Sequence, residues 1–72
     1  ERIEVLEMLL GKLSEDQATL IVLFEFEQWT LREIAELMGS NINTIYSRLV
    51  TAKREFEKAY ARWLIKTGEK RE

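Results

Sequence analysis

The sequence has no cysteine, no histidine and no proline, and only three glycines among its 72 residues. Without cysteine there is neither a disulfide framework nor a thiolate metal site. Without histidine the commonest metal ligand and the commonest general base are both missing. Acids abound, yet no nucleophile, base and orienting group can be assembled from the residues that remain. An enzyme is therefore the weakest reading, and no catalytic residue, cofactor or metal ligand is expected. No run reaches the ~18 uninterrupted apolar residues of a membrane span, and no basic-then-apolar leader opens the chain. These absences favour a cytoplasmic protein that does not insert into membranes. A chain of this length forms one domain at most, residues 1–72, and buries only roughly 60% of the surface its unfolded form exposes. It starts at Glu1 rather than at an initiator methionine, which reads as a fragment of a longer protein.

The net charge of −2 is unevenly divided. Residues 1–40 hold nine acids against three bases, a balance of −6, and residues 41–72 hold four acids against eight bases, a balance of +4. A polyanion is attracted to the second half and repelled by the first. Blocks of this size also arise on ordinary solvated helix faces, so charge alone leaves the choice open.

No segment alternates apolar and polar residues long enough to argue a strand. Ile3, Leu6, Leu9, Leu10 and Leu13 share one face of a first helix that Gly11 loosens. Ser14-Glu15-Asp16-Gln17 reads as a capping box, opening a second helix through Leu20, Ile21, Leu23, Phe24 and Phe26 that stops near Gln28-Trp29. Thr30-Leu31-Arg32-Glu33 is another capping box, for a short helix that buries Leu31, Ile34, Ala35 and Met38. Gly39 stands where a helix end needs a left-handed residue, and Asn41 caps the fourth helix. Ile42, Ile45, Leu49, Ala52, Phe56, Ala59 and Trp63 then step by 3 and 4 alternately, one apolar seam about six turns long. The expected fold is all-α: a four-helix domain containing a helix-turn-helix, with a long C-terminal recognition helix.

The third and fourth helices, joined by a tight glycine turn, have the helix-turn-helix arrangement. Ala35 permits close approach, Gly39 makes the turn and Ile45 plugs the angle; an ordinary helical hairpin would use the same positions for packing only. With the seam buried, about 100° of rotation per residue turns Thr44, Ser47, Thr51, Arg54 and Lys58 outward, with Arg48 flanking. Hydroxyls, amides and arginine suit base edges and phosphates in a major groove. Asn41, Asn43, Thr44, Ser47, Arg48, Thr51 and Arg54 are accordingly the candidate DNA-binding residues. Beyond Glu57 the groove curves away from a straight helix, and the bases there read as solvated. Most aromatics of so small a domain are core, but an exposed fringe would serve a partner, and Phe24, Phe26 and Trp29 are the candidates. Leu64 and Ile65 raise the same question at the far end.

Residues 13–54 resemble region 4 of bacterial sigma factors, particularly the compact extracytoplasmic-function group. The resemblance lies in Leu13-Ser14 followed by Gln17, Ile34-Ala35-Glu36, Gly39, Thr44-Ile45 leading into Ser47-Arg48-Leu49, and Ala52-Lys53. It implies recognition of the promoter −35 element, docking on the β flap of the RNA polymerase core, and control by an anti-sigma factor that covers the domain. The chain departs from that pattern at Ser40, commonly apolar there, and at Tyr46 and Thr51, commonly basic. Losing two bases weakens phosphate attraction, so weak DNA binding by the isolated domain is expected, with polymerase supplying the remainder. Tyr46 reads as lying toward the buried edge of the helix. Two other readings stay open. One is an output domain of a LuxR-type response regulator, which shares the four-helix plan and the Ile-Ala-Glu stretch. The other is a sigma-like decoy that binds an anti-sigma factor.

Overall fold

Residues 2–68 are described by a computed structural model. Of the charged residues, Glu1, Glu69, Lys70, Arg71 and Glu72 lie outside the described residues. The chain forms four helices, α1 (Arg2–Leu10), α2 (Glu15–Ile21), α3 (Leu31–Met38) and α4 (Ile42–Thr67), and no strand occurs among the described residues. The molecule measures 41 × 21 × 21 Å. Its long axis is α4, whose 26 residues span about 39 Å at the usual helical rise.

Three side chains set the helix starts. Ser14 Oγ accepts from the Gln17 N–H at 3.1 Å, and Gln17 Oε1 accepts from the Ser14 N–H at 3.2 Å. Thr30 and Glu33 repeat the exchange at 3.1 and 2.9 Å. Asn41 Oδ1 accepts from the Thr44 N–H at 2.8 Å. Each pairs donors that a helix start leaves without intrahelical partners. α3 ends in a Schellman motif: the Ser40 N–H donates to the Ala35 carbonyl at 2.9 Å and the Gly39 N–H to the Glu36 carbonyl at 3.4 Å. Gly39 sits at φ 67°, and a Cβ built there would meet nothing within 4 Å. Its requirement is purely one of backbone conformation.

α2 departs from the expected regular helix. Its α-helical part ends at Ile21 and continues as a π-helical turn, Val22–Phe26, closed by the Glu27 N–H donating to the Val22 carbonyl at 3.0 Å. Five consecutive apolar residues, Leu20 to Phe24, cannot share one face of a helix of 3.6 residues per turn. The wider turn brings Leu20, Ile21 and Leu23 into the core with Phe24 packed against it, and leaves Phe26 outside. The exit is tight. Gln28 adopts φ 60°, and the Trp29 N–H donates to the Leu23 carbonyl at 2.9 Å.

The core cluster joins Leu20, Ile21 and Leu23 to Ile34 and Ala35 of α3 and to Ile45, Leu49 and Ala52 of α4. Leu10, Leu13, Trp29, Leu31, Met38 and Phe56 pack around it. The seam of α4 runs as expected from Ile45 to Ala59, but Ile42 is 37% exposed. Helical side chains lean toward the preceding turn, and before Ile42 the chain has already bent away at Asn41. Ile3, expected to share the buried face of α1, is 68% exposed. α1 is apolar on more than one side, and it meets the core through Leu9 and Leu10.

Two measurements check the backbone. Gly39→Val lowers stability by more than about 1 kcal/mol, whereas Gly39→Asn, which tolerates the left-handed region, stays close to the parent. Equal melting of the two variants would remove the turn from the account. Gln28→Gly raises stability by up to about 1 kcal/mol, or roughly 4–8 °C in Tm; an unchanged or lowered Tm contradicts strain at that residue.

Candidate nucleic-acid interface

The turn Gly39-Ser40-Asn41 holds α3 against the start of α4 with Ala35 and Ile45 both buried. This is a helix-turn-helix, and it projects the first three turns of α4. Asn43, Ser47, Arg48, Thr51 and Arg54 are exposed there, and Thr44 is half-buried. Asn41 is exposed too, but its Oδ1 is occupied by the helix cap, leaving its amide NH2 as the outward group.

These residues do not form one patch. Ser47, Arg48 and Thr51 line a shallow cleft with Ser14, Asp16 and Gln17, so this flank of α4 borders the start of α2. Asn43 and Arg54 lie farther round, opposite the seam. On the other flank stand three large apolar side chains, Ile42, Tyr46 (58% exposed) and Val50. None belongs to the set expected from sequence, and Tyr46 does not pack at a buried edge. It comes one residue after Ile45, about 100° round the helix, which is beyond the cover that α3 gives. The signal available in the sequence was the spacing of 42, 46 and 50, a row of i, i+4 and i+8 outside the seam.

Basic charge on this face is thin. Lys53 Nζ is held by Glu25 Oε2 of the π turn at 2.9 Å, and Lys58 Nζ by Glu55 Oε2 at 3.4 Å. Among the described residues Arg48 and Arg54 are in no ion pair. The face thus offers two guanidiniums, several hydroxyls and amides, and an apolar row.

The aromatic candidates separate as well. Phe24 and Trp29 are half-buried against the core, and Phe26 is 51% exposed. Phe26 shares a shallow cleft with Leu6, Phe56, Glu25 and Glu57. Trp29 edges a second cleft with Leu37, which is 60% exposed, and the carboxylates of Glu27, Glu33 and Glu36. Leu64 is half-buried and Ile65 is 79% exposed at the far end of α4. Among the described residues no three metal-ligating side chains are placed to hold an ion, and no helix is long and apolar enough to cross a membrane.

A family model described as "Sigma-70, region 4" matches residues 3–56, three quarters of the chain. The matched span covers α1 to α3 and the first half of α4. No match to a curated protein reaches significance, and none to a solved structure does.

Proposed function

The chain belongs to the sigma-70 region 4 family, a family of DNA-binding domains, and we propose that it reads the promoter −35 element for an alternative sigma factor of the extracytoplasmic-function type, directing RNA polymerase to initiate transcription in the cytoplasm. One observation carries this reading. The locked turn between α3 and α4 projects a helix whose first turns expose Asn43, Ser47, Arg48, Thr51 and Arg54, the side-chain chemistry that meets base edges and phosphates. Arg48 borders the start of α2, and in this reading it clamps a phosphate at the edge of the groove. Asn43 and Ser47 lie nearer its floor. Two unpaired arginines neutralise few phosphates, so promoter affinity depends on the remainder of the factor and on polymerase.

The protein partners fit the acidic side. The cleft of Trp29, Leu37, Glu27, Glu33 and Glu36 suits a basic or apolar helix, the chemistry expected of the polymerase β flap or of an anti-sigma factor. A second reading, a sigma-like decoy that only binds an anti-sigma factor, draws support from the ion pairing of Lys53 and from Tyr46 and Thr51, which stand where the family commonly has bases. A run-off transcription assay with the full-length factor and core polymerase separates the two. The decoy gives no transcript from any promoter.

Two substitutions test the parts. Arg48→Ala weakens binding to all duplex sequences alike and lowers the salt slope of log K by about 1; a loss confined to one base pair would make Arg48 a base reader, and no loss removes it from the interface. On the acidic side Glu25 and Glu33 are unsuitable, because one holds Lys53 and the other caps α3. Reversing Glu27 and Glu36 to lysine slows association with a β-flap fragment and flattens its salt dependence, while DNA affinity stays equal or rises. An unchanged association rate with reduced DNA affinity would place the acids against DNA instead.

A further inference from the structure

We infer that the domain selects thymine in its promoter through the apolar row Ile42, Tyr46 and Val50, whose side chains cover the 5-methyl groups of thymines in the major groove. The inference rests on the proposed −35 recognition and adds which base the helix prefers and by what contact. Single exposed apolar residues need no explanation. These three are consecutive members of one i, i+4 row on the first turns of the helix that the helix-turn-helix presents, and they are 37%, 58% and 37% exposed. The row rotates about 40° outward at each step, so it begins beside the core and ends on the outward face, where Arg54 is its fourth member. A helix seated in a major groove brings such a row along the base edges, with Asn43 and Ser47 one residue farther on.

The chemistry of the groove floor then limits the match. Among the four bases only thymine shows an apolar group there, its C5-methyl; the others show donors and acceptors that an isoleucine or valine would strip of water without pairing. The neighbouring charge points the same way. Lys53, three residues after Val50, lies against the Glu25 carboxylate, which offsets its charge beside the row and leaves the guanidinium of Arg54 at the row's outward end. Tyr46 adds a hydroxyl at the end of an apolar ring, which can satisfy a polar base edge beside the methyl it covers.

The test uses the full-length factor bound to core polymerase and duplexes selected from a library randomised at the −35 element. In each selected duplex every thymine is replaced in turn by deoxyuridine, which removes only the methyl. The parent protein should lose about three- to fivefold in affinity per covered methyl at one or more positions. Ile42→Ala and Val50→Ala should each abolish the uridine effect at one position while retaining it elsewhere, and Tyr46→Phe should retain it where Tyr46→Ala does not. All three side chains are exposed, so unchanged melting temperatures exclude a folding cause. A parent protein indifferent to uridine, or variants that weaken thymine and uridine duplexes equally, overturns the inference while leaving −35 reading intact. A library that yields no −35 preference at all overturns that reading instead. Variants that bind every duplex normally but associate slowly with polymerase would assign the row to a protein contact, which also overturns it.

Discussion

Ile45 is where the demands on this chain meet. It is fully buried in the cluster that joins Ile34 and Ala35 of α3 to Leu20 and Ile21 of α2 and to Leu49 and Ala52 of its own helix. Its burial sets the rotation of α4, and the rotation sets every outward residue for the next three turns. Moving the seam by one residue would turn the apolar row into the core and drive Leu49 and Ala52 out. The Schellman turn at Gly39 and the Asn41 cap leave no slack in the connection that could absorb such a slip. The outward face of α4, proposed here as the reading surface, is thus a consequence of the packing, since the same helix supplies the wall of the core.

Electrostatics divides the surface that packing leaves. The acidic half is not uniformly free: Glu33 is committed to a cap and Glu25 to Lys53, which leaves Glu27 and Glu36 near Trp29 and Leu37. On α4 the carboxylates of Glu25 and Glu55 beside Lys53 and Lys58 offset the charge of two of the bases that a count by composition assigns to DNA. The domain therefore repels a polyanion over much of its surface and attracts it weakly over one strip. In the function proposed, weak attraction suffices where other contacts already hold the promoter close, because the second contact is then made at high effective concentration.

The features legible in the sequence were the local ones. The two capping boxes, the Asn41 cap and the left-handed Gly39 each depend on residues within three or four positions, and all four are present. The seam from Ile45 to Ala59 comes from a period of 3.6 alone. The π turn did not show, because it answers a crowding of Leu20 to Phe24 against helices distant in sequence. Nor did the exposure of Ile42 and Ile3. Periodicity finds the centre of a buried face, but the width of that face is set by how far the neighbouring helix reaches. The same blindness hid the row through Tyr46 and Val50. On α4 the exposure of the polar residues was legible from helix angle, whereas the pairing of Lys53 with Glu25 joins positions that nothing in the local pattern connects.

In the function proposed, the π turn also limits how far the protein-binding and DNA-binding faces can influence each other. It carries the exposed Phe26, which shares a cleft with Lys53, and its Glu25 reaches Lys53 on α4. A partner that seats on Phe26 and displaces Glu25 would free Lys53 for phosphate. The pair is 48% and 39% exposed at its two ends, and exposed pairs of this kind are worth about 0–1 kcal/mol. Coupling through this contact alone is then limited to about fivefold. A larger effect of a protein partner on DNA binding has to come by another route, either by occluding α4 directly or by moving α2 against it. Because Leu20, Ile21 and Leu23 share one core with Ile45, the second route would disturb the packing on which the reading face depends. Occlusion leaves that core intact, and it is the cheaper means of silencing this domain.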